Sequence, residues 1–246
     1  MNVVLLGGNR GIGRALARRL ADRGHRVFLL GRRLDDLERS AQDLAQRYPA
    51  CRPVNVAPCD LERPETFAGA FDAATSALGA IDAVVVTAGQ FATQETLESD
   101  LDLTARVLTV DFVNTVLFCE HARKRLLAAG HGTLCVFSSV AGDRGRSPVA
   151  LYGSAKGGLS TYLEATDHRY ARSGLRVICV KPGFVRTSMT SGLPEPPFAA
   201  DPEAVAVDVA RALERGTPVV YTPRVWALLM LIVRWLPRFV MRRVRF

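Results

Sequence analysis

The sequence lacks most features that mark a secreted, metal-bound or membrane-spanning protein. Its five cysteines, Cys51, Cys59, Cys119, Cys135 and Cys179, are odd in number, scattered and mostly in apolar runs. They form no CxxC pair. That argues against a disulfide or zinc framework and suits buried thiols in a reducing cytosol. The four histidines show no metal-ligand spacing, so no metal site is expected. No Pro/Gly/Ser-rich linker, low-complexity tract or solenoid-period repeat divides the chain, which makes one domain the expectation. The first strand-like run begins at Asn2, leaving no room for a signal peptide. Acid is missing from Gly216 onward, where arginines stand at 224, 234, 238, 242, 243 and 245. Much of the net charge of +8 therefore belongs to a basic tail, and no nucleic-acid partner is expected.

What is present is enough apolar material for a buried sheet: 246 residues, 48% of them hydrophobic. Apolar runs at Val3 to Leu6, Arg26 to Leu30, Val54 to Pro58, Ala83 to Val86, Thr133 to Phe137 and Arg176 to Val180 read as strands. Pro218 to Tyr221 reads as a short last one. Between them Ile12 to Leu20, Asp36 to Tyr48, Thr66 to Leu78, Leu101 to Ala129, Leu151 to Ala171 and Ala204 to Leu213 read as helices. Continuous apolar strands alternating with helices imply an α/β fold, a single doubly wound parallel sheet of the Rossmann kind. Ligands in such sheets sit at the carboxyl ends of the strands, near the switch in strand order.

The first strand runs into Gly7-Gly8-Asn9-Arg10-Gly11-Ile12-Gly13, which opens directly into a helix. Glycines there let the backbone approach a pyrophosphate whose charge the helix N-terminus favours. A dinucleotide is therefore expected. The second strand ends Leu30-Gly31-Arg32-Arg33. It lacks the carboxylate that would hold the ribose 2′-hydroxyl of NAD, and Arg32, with Arg10 nearby, suits a 2′-phosphate. NADP(H) is favoured on this ground, with NAD(H) left open. Asp60 is placed to meet the adenine, and Thr87-Ala88-Gly89 offers a close backbone approach.

Tyr152 and Lys156 lie one helical turn apart on one face. Reducing a ketone leaves an alkoxide that needs a proton. A tyrosine titrates near 10, and an ammonium beside it is expected to lower that value. Ser139, just past the fifth strand, is placed to hydrogen-bond the substrate oxygen.

In order and spacing, Gly7-x3-Gly11-x-Gly13, Asp60, Thr87-Ala88-Gly89, Ser139, Tyr152-x3-Lys156 and Pro182-Gly183-x3-Thr187 resemble the short-chain dehydrogenases/reductases from Asn2 to about Leu213. The resemblance implies an oxidoreductase with Ser139, Tyr152 and Lys156 as its catalytic set and Ser138 as a structural neighbour. It also implies cofactor contacts from Gly7, Asn9, Arg10, Gly11, Ile12, Gly13, Arg32, Asp60, Ala88 and Gly89. Tyr152, Lys156, Pro182, Gly183, Val185 and Thr187 join them, with Lys156 on the nicotinamide ribose and Thr187 on the carboxamide. Two positions depart. Val86-Thr87 stands where the family often has two asparagines, and Asp111 aligns with its catalytic asparagine. In the family that residue's carbonyl holds a relay water. An aspartate keeps the carbonyl and adds a charge able to pair with Lys156; Asn114 is the alternative if the alignment slips by three.

Residues 1–221 are expected to form the dinucleotide-binding domain and 222–246 an apolar and basic tail. Val225 to Val233 is nine apolar residues, against the roughly 20 needed to span a bilayer. If helical it must be buried in protein or in lipid. The arginines that follow, as far as Arg245 and Phe246, suit peripheral contact with anionic headgroups on the inner face of a membrane. Internal packing is the other reading. The tail, with Val140 to Arg146 and Lys181 to Thr187, is similar to the decaprenylphosphoryl-2-keto-pentose reductases and to other lipid-directed reductases such as those of 3-keto lipids. That likeness implies a cytoplasmic enzyme acting on a lipid-linked or amphiphilic ketone. A soluble small-metabolite reductase and a cofactor-sensing module with little turnover remain as alternatives. A homo-oligomer is expected. Ser188 to Ala200 reads as a substrate lid, and Arg144 and Arg146 as candidates for meeting a substrate phosphate.

Overall fold

Alternate residues of the first strand bury in opposite directions: Val3 and Leu5 join one apolar cluster, Val4 and Leu6 the other. A strand buried on both faces needs a helical layer on each. The computed structural model, which describes residues 1–244, supplies both layers. The strands are β1 (Asn2–Leu6), β2 (Arg26–Gly31), β3 (Asn55–Pro58), β4 (Ala83–Val86), β5 (Gly132–Phe137), β6 (Leu175–Pro182) and β7 (Val219–Thr222). They form one sheet, parallel throughout, in the order β3-β2-β1-β4-β5-β6-β7. The helices are α1 (Gly11–Asp22), α2 (Leu34–Arg47), α3 (Thr66–Leu78), α4 (Gln94–Ser99), α5 (Leu101–Leu108), α6 (Thr115–Ala128), α7 (Ala150–Tyr170), α8 (Pro202–Arg215), α9 (Val225–Trp235) and α10 (Arg238–Met241). The doubly wound parallel fold expected from the sequence is the one observed. Arg245 and Phe246, part of the expected basic tail, lie outside the described residues.

On one face α1 packs against α8, with Leu16, Leu20, Val205 and Val209 fully buried between helices and sheet. On the other, Phe118 of α6 meets Phe67 and Phe71 of α3 at ring-centroid distances of 5.3 and 4.9 Å. All five cysteines are buried and free. The order reverses between β1 and β4, so the loops after these two strands diverge and leave a crevice at their carboxyl ends.

The expected helix from Leu101 to Ala129 is broken. Thr109–Asn114 is a π turn that separates α5 from α6. Such a turn widens the helix by one residue and misaligns its carbonyls. The Thr115 hydroxyl donates to the Val110 carbonyl at 2.7 Å, serving one of them. The turn carries Asp111 and Asn114, both buried. Helix α4 was not legible as a periodic run. It is fixed by its cap, Thr93, whose hydroxyl accepts from the Thr96 amide at 3.3 Å. Among the described residues no helix is long and apolar enough to cross a membrane.

Candidate active site

A cavity of about 1070 Å³ opens over the carboxyl ends of the strands. Every cofactor and catalytic residue expected from the sequence lines it, except Asp111. Its floor at one end is the glycine loop. A Cβ at Gly13 would stand 2.1 Å from the Gly7 carbonyl oxygen. One at Gly7, where φ is +92°, would stand 2.7 Å from Thr87 Oγ1 and 2.8 Å from the Ala88 amide. Only bare backbone lets the loop, β4 and the start of α1 meet this closely. Arg10, extended, precedes α1, so the helix N-terminus faces the cavity, where an anion is favoured.

One end of the cavity is cationic. Arg10 pairs with Asp36 at 2.8 Å and Arg33 with the same carboxylate at 3.3 Å; Arg39 joins it from outside. Hydrogen bonds from Arg39 and Arg10 hold the Asp36 carboxyl below its usual range. Arg32 is 3.4 Å from Glu62, whose carboxylate also accepts from Gln90 Nε2 at 2.6 Å. Arg10, Arg32 and Arg33 line the cavity beside those two carboxylates, which hold the guanidiniums in place. Arg33 and Asp36 were not singled out in the sequence, although their i, i+3 spacing signals a pair on one helix edge. Asp60 accepts from the Glu62 amide at 3.0 Å, which orients its carboxylate in the lining of this end.

Tyr152 and Lys156 project from the first turns of α7. The Tyr152 ring meets Phe91 edge-on at 5.1 Å, and Lys156 Nζ lies 5.7 Å from its centroid. Ser139 follows β5. Its Oγ accepts from the Ala141 amide at 3.1 Å. Ser138 turns away to the Lys156 carbonyl, 2.9 Å, and Ser160 Oγ, 2.7 Å, so it splints α7 to the sheet. Lys156 Nζ donates to the Phe137 carbonyl at 3.4 Å and lies 3.6 Å from Asp111 Oδ2. Asp111 Oδ1 accepts from the Gln90 amide at 2.7 Å. Asn114 points elsewhere, its Nδ2 donating to the Leu61 carbonyl at 2.6 Å. The π turn therefore presents Asp111, and not Asn114, to Lys156.

The charges of this cluster are coupled. Burial pushes the Tyr152 phenol up; the Lys156 ammonium and the Ser139 hydroxyl oppose this and Asp111 adds to it, leaving the phenol above its ordinary value. The lowering expected from Lys156 is thus present but outweighed, because the site is desolvated and holds a second, negative charge. Burial works to lower Lys156, yet the Asp111 carboxylate, the strongest of the groups that raise it, helps to more than offset this and keep the ammonium protonated. Burial lifts the Asp111 carboxyl, with Lys156 and the Gln90 amide holding it back.

The other end of the cavity is apolar. Met189, Leu193, Pro196, Pro197 and Phe198 of the Ser188 to Ala200 loop line it. The loop is closed at its base, where the Arg186 amide donates to Ala200 and the Ala200 amide to Phe184, each at 2.9 Å. Opposite stand Trp226, Leu229, Met230 and Val233 of α9. This wall was not foreseen, although i, i+3, i+4, i+7 spacing within the apolar run could have revealed it. Trp226 Nε1 is buried without a hydrogen-bond partner, close against Gly183. Arg146 lines the cavity, its pKa lowered by burial against the pull of Asp143. Arg144 does not line it; its guanidinium donates to the Leu236 carbonyl at 2.8 Å, tying the end of α9 to the loop after β5. Beneath that loop Asp143 accepts from Lys181 at 2.5 Å and from the Tyr221 hydroxyl at 2.7 Å.

Against known proteins, residues 1–197 match the family described as short chain dehydrogenase. The chain is 35% identical over 244 residues to an uncharacterized oxidoreductase of Mycobacterium tuberculosis, across 98% of this chain and 96% of the relative. It is 32% identical over 192 residues to carbonyl reductase family member 4 of Danio rerio, across 78% of each. The structure of an actinorhodin polyketide ketoreductase with NADPH superposes with a TM-score of 0.80, covering 89% of this chain and 94% of that one at 24% identity.

Proposed function

The chain belongs to the short-chain dehydrogenase/reductase family of NAD(P)-dependent oxidoreductases, and on that premise we propose that it uses NADPH to reduce a ketone to a secondary alcohol, with Tyr152 as proton donor. The observation that carries the reading is the shared cavity: Ser139, Tyr152 and Lys156 stand on one wall, with the glycine loop and three arginines beside them. The cradle suits a dinucleotide, since the close packing that Gly7 and Gly13 permit leaves the glycine loop and the N-terminus of α1 lining the cavity. When bound, the reduced nicotinamide supplies the hydride. Arg10, Arg32 and Arg33 would hold the 2′-phosphate, and Pro182, Gly183, Val185 and Thr187 the nicotinamide end.

The chain's own groups do the rest. The Ser139 hydroxyl donates to the ketone oxygen and fixes it near Tyr152. As negative charge develops on that oxygen, the Tyr152 phenol gives up its proton to it. Lys156, held cationic by Asp111, stabilises the phenolate left behind. The phenol's raised pKa keeps it loaded for donation at neutral pH.

The apolar far wall supports an amphiphilic substrate, a lipid-linked sugar ketone of the decaprenylphosphoryl kind or a 3-keto lipid. The Danio rerio relative's name, a carbonyl reductase, points to the same reaction class. The enzyme works in the cytoplasm, at the inner face of the membrane. It assembles as a homo-oligomer, a reading supported by Phe112, Val113 and Leu117, which leave an apolar strip of the π turn and α6 exposed. Incubation with NADPH and a panel of water-soluble ketones, with the alcohol identified by mass spectrometry, tests the activity. Product is expected. NADPH binding with no turnover of any ketone would instead make the chain a cofactor-sensing module.

A further inference from the structure

Helix α9 carries two apolar faces at one spacing. Trp226, Leu229, Met230 and Val233 stand at i, i+3, i+4 and i+7 and face the cavity. Leu228, Leu231, Ile232 and Trp235 repeat those intervals two residues on, roughly 200° round the helix. They are 62, 58, 58 and 82% exposed, and Phe239 of α10 adds a fifth large side chain at 62%. A contiguous apolar patch of this kind is uncommon on a soluble monomer and marks a contact surface.

The rim of the patch says what that contact is. Arg224, Arg234, Arg238, Arg242 and Arg243 are all exposed around it, and no acid occurs from Gly216 onward. A second copy meeting this patch about a twofold axis would set arginine against arginine, which opposes association. An apolar centre on a segment that carries arginines and no acid is instead complementary to an anionic bilayer, whose acyl boundary takes the leucines and whose headgroups take the guanidiniums.

We propose that α9 docks its outer face on an anionic lipid bilayer, and that this docking brings the substrate end of the cavity, walled by the inner face of the same helix, beside the lipid. One helix, about 10 Å across, then separates membrane from active site. A ketone carried on a lipid reaches Tyr152 around that helix without crossing water. The Arg144 bond to the Leu236 carbonyl holds the helix end against the loop after β5, so the outer face is presented at a set angle. The inference deepens the ketoreductase reading by naming the surface on which it works, but the docking itself does not depend on turnover.

The chain's two tryptophans lie one on each face of α9, which supplies a built-in probe. The full chain is mixed with vesicles of phosphatidylcholine alone or of phosphatidylcholine with phosphatidylglycerol. Sedimentation is followed together with the fluorescence of Trp226→Phe, which retains only Trp235. Co-sedimentation with the anionic vesicles, weaker at high salt, and a blue shift of Trp235 are expected. In a Leu231→Glu/Ile232→Glu variant, vesicle partitioning should fall by at least about tenfold. Its circular dichroism and its NADPH-dependent turnover of a water-soluble ketone should not change. A wild-type chain that stays in solution with both vesicles overturns the proposal. So does a wild-type dimer that the double variant converts to monomer without any vesicle binding, because the patch is then a subunit interface. If vesicles bind while no ketone is reduced, the docking stands and the ketoreductase reading fails.

Discussion

At the scale of single residues the site packs its charges more tightly than the motifs alone imply. Tyr152-x3-Lys156 is legible as a pair because helical spacing puts both on one face. The sign of the Tyr152 shift is not, since it depends on desolvation and on Asp111, brought in from a different helix. This makes Asp111 the residue to change. Its carboxylate raises the phenol, so Asp111→Asn should let Tyr152 ionise at lower pH. Reduction needs the protonated phenol, so the alkaline fall in kcat should move to lower pH. The conservative amide keeps the backbone carbonyl and nearly the same volume. A pH profile of the reduction checks this, and an alkaline limb that stays put or moves up contradicts it. At the cofactor end Arg32 is well exposed and paired to Glu62 across 3.4 Å. On the NADPH reading, Arg32→Ala removes one of three cations near the 2′-phosphate. The KM for NADPH should then rise about tenfold, with little change for NADH, since a charge-assisted hydrogen bond is worth roughly 1.5–3 kcal/mol. Equal effects on the two cofactors, read from initial rates, would return Arg32 to the status of a surface charge.

At the scale of elements, strands and amphipathic helices follow from apolar periodicity, and their ends from capping and turn chemistry. Helix α8 starts at Pro202, a residue suited to the first helical position, rather than at Ala204. The π turn at Thr109–Asn114 leaves no such mark, because an extra residue within a helix changes neither composition nor hydrophobicity. It decides which of Asp111 and Asn114 faces Lys156. The contacts among β6, β7 and the loop after β5 were equally invisible. Lys181, Asp143 and Tyr221 lie far apart in sequence and meet only through strand order. Lys181 and Asp143 side chains are 11 and 2% exposed, so neither has water as a substitute partner. Asp143→Asn leaves a buried ammonium without its counter-charge, and about 3 kcal/mol of stability should be lost. Urea unfolding measures it. A loss under about 1 kcal/mol would mean that water or a shifted side chain takes the carboxylate's place.

At the scale of the whole molecule, one parallel sheet brings together segments from Gly7 to Val233 around a single cavity. The fold and the place of the glycine loop in the cavity were readable because glycines and strand ends each have a local cause. The substrate end was not, because its walls come from a loop and a terminal helix whose apolar residues read equally well as core, as lid or as membrane contact. The structure turns one face of α9 into the cavity and leaves the other exposed. The central claim is that this assembly delivers a proton from Tyr152 to a ketone. It is tested most directly by following NADPH consumption by the wild type and by Tyr152→Phe with the same ketone, while NADPH binding to each is measured by fluorescence. The variant keeps the ring against Phe91 and loses only the hydroxyl. The account predicts that its kcat falls by at least about a hundredfold, the lower range for a general acid, with NADPH affinity changed less than about threefold. A variant that reduces the ketone at the wild-type rate would contradict it.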